Sequence, residues 1–242
     1  MAKLVQKSGY IKSGKASGYM RYIATREGAE KLAGNGSVTK GQRELIQKLL
    51  TDFPDAVELF EYEDYCKTPT LGTASAFITM ALDANLHGID SESGYMQYIA
   101  TRPRVQKYGS HGLFSSATAV DIASAMSELE AHEGNVWTII YSLRREDAAR
   151  LEYDNADAWR ALLMENAPTL AKSMKISLEN FHWYAAFHDE GEHPHVHMMA
   201  WSTVPSEAYL TWEGIRNIKS KLTNQIFQQE MLHTYEQIPV TG

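Results

Sequence analysis

Cysteine is almost missing from this chain of 242 residues: Cys66 is the only one, so no intramolecular disulfide forms and no thiolate-rich metal site can be built. A reducing, cytoplasmic setting is the expectation. Long apolar runs are missing as well. No window approaches the roughly 18 consecutive apolar residues of a membrane span, and the opening MAKLVQKSGY lacks the apolar stretch of a secretory signal. No membrane insertion is expected. Cations are the minority charge, 23 Lys and Arg against 30 Asp and Glu, and a net charge of −7 argues against a protein that coats nucleic acid by bulk attraction. With 16 Gly, 7 Pro and 44% hydrophobic residues, the composition is that of a folded chain, neither collagen-like nor disordered. The length fits one large domain or two small ones, able to bury a core without disulfides.

The charge is unevenly spread. The first fifty residues hold ten Lys or Arg against three Glu, a net +7, so the rest carries 13 basic and 27 acidic side chains, a net −14. That asymmetry suggests an anion-facing edge on an acidic body. A repeat lies partly within the basic edge: residues 17–26 read SGYMRYIATR and residues 93–102 read SGYMQYIATR, nine identities in ten at an offset of 76. Two copies this far apart do not make a solenoid. A duplicated local element is the better account, either two equivalent packing helices or one copy with chemistry and another that braces it or binds the same kind of ligand.

Hydrophobic patterning predicts a short strand over residues 3–12, a polar loop, and a helix capped by Ser17 that stops before GNGS at 34–37. Residues 39–87 read as a small helical segment. A helix is predicted over 117–131, and VWTIIYSL at 136–143 reads as a central strand. A long helical region follows over 145–174 with a break near 153–156. Two strands, 181–187 and 195–202, are joined by a turn-prone Asp189, Glu190, Gly191 and Glu192, and a last helix is predicted over 212–237. The pattern suggests an α+β fold, a central antiparallel β-sheet flanked by helices.

Five of the nine histidines fall between His182 and His197. Side chains two apart on a strand share a face, so His195 and His197 project together, and His188 at the end of the partner strand can reach the same spot. Three imidazoles from rigid strands leave positions open for water or substrate, the arrangement of a catalytic metal site. Asp189, Glu190 and Glu192 are candidates for a further ligand, a hydrogen-bond acceptor behind a ligand, or a base. His193 is expected on the opposite face and solvated, His182 to be structural, and His87, His111, His132 and His233 to have structural or surface roles.

The alternation His193-Pro-His195-Val-His197 formally fits the histidine-triad nucleotide hydrolases and transferases, but leaves the tyrosine repeat and the basic N-terminus unexplained. A non-catalytic DNA-binding module with a structural metal is a further alternative. The order of His188, then His195-Val-His197 after a proline, together with Met20-Arg-Tyr22-Ile-Ala-Thr-Arg26 just after the first strand, resembles the HUH-superfamily relaxases. The resemblance is to their MobP group, in particular the Gram-positive MobP3-type branch. It extends to RPRVQKYGSHGLF at 102–114 and NVWTIIYSLRREDAARL at 135–151, and so spans nearly the whole chain.

That resemblance implies an HUH endonuclease-like palm with a helical insertion: residues 1–36 with the first strand and tyrosine helix, 37–92 as the insertion, and 93–242 as the rest of the core. It implies a nickase that cleaves single-stranded transfer-origin DNA through a tyrosine, in mobilisation of plasmids or integrative elements. Tyr22 is the expected nucleophile from its place after the first strand, with Tyr98 in the second copy and Tyr19 as alternatives, and Arg26 beside it. His188, His195 and His197 are the expected ligands of a divalent metal, Mn²⁺ or Mg²⁺ foremost and Zn²⁺ allowed by the donor set. Lys12, Lys15, Arg21, Arg102, Arg104 and Lys107 are expected phosphate contacts, and Trp183, Trp201 and several tyrosines are candidates to stack on unpaired bases. Relaxases of this kind work with accessory relaxosome proteins and a coupling protein, and often continue into further domains.

Overall fold

Alternating apolar side chains and capped helices build a five-stranded antiparallel sheet in the order β1-β3-β5-β4-β2. The computed structural model describes residues 3–10, 36–85, 92–101, 105–107, 111–117, 119–189 and 191–228. Its strands are β1 (Val5–Tyr10), β2 (Leu113–Phe114), β3 (Trp137–Ser142), β4 (Phe181–His188) and β5 (His195–Ser202). Eight α-helices flank them among the described residues: α1 (Lys40–Asp52), α2 (Phe60–Lys67), α3 (Leu71–Asn85), α4 (Glu92–Thr101), α5 (Ile122–Glu130), α6 (Arg145–Arg150), α7 (Ala156–Ser173) and α8 (Trp212–Ile226).

The two faces of the sheet carry different cores because strand side chains alternate. On the first face Ile139, Tyr141, Ala185, Phe187, Val196, Met198 and Ala200 pack with Trp159, Leu162 and Leu163 of α7 and Ile218 and Leu222 of α8. Gly214 lets α8 approach α7 closely, since a Cβ there would meet the Ser173 carbonyl oxygen at 2.4 Å. The second face is covered in two halves. Val5 and Ile140 lie under α1, α2 and α3 through Leu49, Phe60, Phe77 and Ile78. Ala186, Met199 and Trp201 lie under α4 and α5 through Met96, Ile99, Ala125 and Leu129. All eight residues of β5 are buried, as a strand with neighbours on both edges and helices on both faces requires.

Local chemistry sets most boundaries. Thr39 caps α1 with a reciprocal capping box to Gln42. The predicted break near 153–156 is there: Glu152 has a positive φ of 63°, and Asn155 caps α7 by accepting from Ala158 N. One expectation needs correcting. The helix predicted from residue 117 begins only at Ile122, because Asp121 takes an extended backbone and caps Ser124 N. Strand β2 has no signal in the sequence: with only Leu113 and Phe114 paired to Ala186 and Ala185, it is too short to show a period. The last helix is described to Ile226, and the remainder of its predicted span from 229 lies outside the described residues.

Candidate metal centre

His188 is the last residue of β4 and His195 the first of β5, and the two are cross-strand partners. His197, opposite Ala186, points from the same face. The three rings meet on the second face, with centroids 5.2 Å apart for His188 and His195, 4.7 Å for His188 and His197, and 5.0 Å for His195 and His197. One ring nitrogen of each lies within 4.8 Å of the other two, so the trio could hold a metal ion. All three are buried.

Backbone carbonyls orient two of the rings. His188 Nε2 faces Ile99 O at 2.8 Å, and His195 Nδ1 faces His193 O at 3.0 Å. A carbonyl only accepts, so each of these nitrogens carries the hydrogen and the lone pair of a neutral ring is left on His188 Nδ1 and on His195 Nε2. The donor set therefore fits a divalent cation: three imidazoles on rigid strands, two with the second nitrogen tied to a carbonyl. Ile99 belongs to the second copy of the repeat, which forms α4, so that copy braces the histidine cluster through its main chain.

The loop between the strands is fastened away from the cluster. Gly191 has a φ of +50° and supplies the turn. Arg145 pairs with Asp189 at 2.7 Å and also donates to Gly191 O, while its own N–H donates to Glu192 O at 2.8 Å. Asp189 is thus engaged by an arginine, and Glu192 is exposed. One carboxylate that bonds to a histidine of this segment is a residue that sequence reasoning passed over. Asp64 Oδ2, on α2, accepts from His193 Nε2 at 2.7 Å.

His193 corrects the expectation of a solvated residue: it is 6% exposed. Its ring stacks on Phe60 at 5.2 Å, because α2 covers this end of the sheet. Burial pushes the His193 imidazole pKa down, against the pull of Asp64. Burial alone would raise the Asp64 carboxyl, but the bond from His193 and the Arg144 guanidinium outweigh it and hold the carboxyl below its ordinary range. Arg144 also reaches Glu63 at 2.9 Å and lies over Phe60 at 4.7 Å, and Lys3 pairs with Glu63. No local sequence signal marks Asp64, since EYEDY at 61–65 reads as a solvated acidic helix face.

The other candidates are distributed as follows. His182 is half exposed, 3.8 Å from Glu128 and 5.9 Å from the Trp201 ring. Trp183 and Trp201 correct the expectation of base-stacking residues: both are buried in the sheet cores, at 5% and 2% exposure. Lys107 is exposed, two residues from Val105, which bridges to His188. The first histidine of the proposed triad alternation, His193, turns to Asp64 instead of joining His195 and His197. Tyr19, Arg21, Tyr22, Arg26, Lys12, Lys15, Arg102, Arg104 and Glu190 lie outside the described residues. Tyr98 belongs to α4 and directly precedes Ile99.

No helix among the described residues is long and apolar enough to cross a membrane. Comparisons with curated proteins and with solved structures return no match. A family model described as MobL relaxases matches residues 1–238, nearly the whole chain and both copies of the repeat. The chain belongs to the MobL relaxases, a family of DNA-nicking enzymes of mobilisation.

Proposed function

We propose that this relaxase cleaves one strand of transfer-origin DNA with Tyr22 as nucleophile, beside a divalent cation held by His188, His195 and His197. The observation that carries the reading is the convergence of three buried imidazoles in a chain of relaxase family. The phenolic oxygen of Tyr22 forms a bond to phosphorus, the bond to the 3′ oxygen breaks, and that oxygen leaves as a free hydroxyl. The 5′-phosphotyrosine conserves the phosphodiester energy, so the strand can be rejoined after transfer. A phenol with a pKa near 10 is mostly protonated at neutral pH, and Arg26, four residues further on in the sequence, favours the phenolate. The cation, when bound, offsets charge on the non-bridging phosphate oxygens. Mn²⁺ or Mg²⁺ suits this use, and Zn²⁺ is compatible with the ligands.

Lys12, Lys15, Arg21, Arg102, Arg104 and Lys107 supply phosphate contacts to a short single-stranded site. Accessory relaxosome proteins and a coupling protein are the proposed partners in transfer. A second nucleophile has one observation in its favour: Tyr98 is the neighbour of Ile99, whose carbonyl accepts from His188.

The deciding experiment gives the purified chain Mn²⁺ and a labelled single-stranded origin oligonucleotide, and looks for protein attached at the 5′ end of the product. Tyr22→Phe is expected to form no adduct, and Tyr98→Phe and Tyr19→Phe to form it. The reverse pattern moves the nucleophile to Tyr98. If all three variants form the adduct, the tyrosine chemistry proposed here is wrong.

A further inference from the structure

We infer that Asp64 is a positioning residue of the histidine centre, acting through His193 on His195; the inference rests on the reading of that centre as a metal site. Three observations form a continuous chain. Asp64 grips the His193 ring edge at 2.7 Å. Phe60, four residues earlier on the same helix, holds the face of that ring at 5.2 Å and 26°. The main-chain carbonyl of His193 then takes the Nδ1 hydrogen of His195 at 3.0 Å, which aims the His195 Nε2 lone pair.

The main chain here has little freedom to drift. Pro194 follows His193 and removes one torsion, Leu143 N donates to Pro194 O at 3.3 Å, and Arg145 N to Glu192 O at 2.8 Å. Clamping the ring of His193 fixes the remaining freedom of its peptide. A carbonyl behind an imidazole is one of the usual devices for holding a ligand's tautomer and direction, and losing such support costs about 10–100-fold in metal affinity. The helical segment that carries α2 thus contributes to a centre built on strands more than a hundred residues further along the chain.

A merely structural staple would also join α2 to the hairpin, so the test must separate the two. Glu63 is the internal control: it sits beside Asp64, pairs with Arg144 and Lys3, and does not touch His193. Mn²⁺ alone is titrated calorimetrically into the chelator-treated full chain, and Co²⁺ absorption is recorded as an independent signature. Asp64→Ala is expected to weaken Mn²⁺ binding about tenfold or more and to shift the Co²⁺ bands. Asp64→Asn, whose amide oxygen accepts the same N–H, is expected to stay close to wild type, and Glu63→Ala to be unchanged.

His193→Phe keeps the stacking on Phe60 and the carbonyl but loses the Asp64 bond. It should weaken binding like Asp64→Ala, and the double variant should lose no more than either alone. This variant decides the matter if Asp64→Ala does not fold. Wild-type affinity in both Asp64→Ala and His193→Phe overturns the inference while leaving the metal site intact. Equal Mn²⁺ binding by wild type and His195→Ala overturns the metal site itself and the inference with it.

Discussion

His188 and His195 face each other as the closing pair of the β4–β5 hairpin, ring centroids 5.2 Å apart, and each turns one nitrogen to a backbone carbonyl. The pair explains why a centre made only of imidazoles can be buried at the core of a sheet. Each ring satisfies its N–H locally and keeps a lone pair for a cation. His197 completes the set from the same face without a change of backbone.

Removal of one ligand should show as a loss of cation affinity before any loss of fold. His197→Ala is expected to weaken Mn²⁺ binding by at least 10–100-fold, and chelation of the wild type to abolish nicking until Mn²⁺ is returned. Isothermal titration and a nicking assay on the same preparations check both. Full nicking in excess chelator is the contrary result.

Stability should fall with rising pH because of Glu61. Loss of solvent around this buried side chain on α2 pushes its pKa up from 4.5 to about 8. Between those values the unfolded chain has released the proton that the folded chain keeps, so the stability present below 4.5 is lost as pH rises to about 8 and then levels. The difference in unfolding free energy between wild type and Glu61→Gln, measured in urea across this range, should slope accordingly. A flat difference would show that Glu61 is ionised in the fold.

Lys7 on β1 is a buried cation whose side chain is 3% exposed, paired with Asp55, which is 47% exposed. Burial lowers its pKa against the attraction of Asp55. Taking away the exposed partner should hurt more than taking away the buried charge. Asp55→Ala is expected to cost about 1–3 kcal/mol, and Lys7→Met to be neutral or stabilising. Chemical denaturation of the two variants decides, and a larger loss in Lys7→Met would reverse the assignment.

Trp159 and Trp212 should differ sharply although both lie on helices. Trp159 is fully buried, stacks with Tyr141 and donates its indole hydrogen to Tyr153 O at 2.8 Å. Its replacement by Ala should cost about 3–5 kcal/mol. Trp212 is 77% exposed, and Trp212→Ala should stay within about 0.5 kcal/mol. Thermal or urea unfolding measures both.

Lys107 is exposed on the segment that meets the end of β4. If it contacts one phosphate of the single strand, Lys107→Ala should reduce the salt dependence of binding by about 0.7 in the log–log slope. An unchanged slope in a fluorescence titration at several salt concentrations removes Lys107 from the DNA path.

The hairpin is legible in the sequence because its information is local. Period-two alternation placed His195 and His197 on one face, and a turn-prone loop of the right length brought His188 opposite. The break between α6 and α7 was legible for the same reason. Local reasoning failed where packing decides. His193 reads as a solvated loop residue until α2 lays Phe60 and Asp64 on it, and Trp201 reads as a stacking platform until α5 covers it. The loop carboxylates looked like the natural partners of the histidines, yet Arg145 draws Asp189 outward.

By itself the sequence determined which residues could form the centre: a histidine spacing that only a strand turns into a shared face, a repeated tyrosine segment, and a basic N-terminal edge on an acidic chain. Only the tertiary structure decided what holds that centre in place. Ile99 is 89 residues from His188, and Asp64 is 129 residues from His193. Side-chain period is a property of neighbouring residues, written in their spacing. A hydrogen bond across such a distance exists only because two helical layers pack on the same sheet face and exclude water from it.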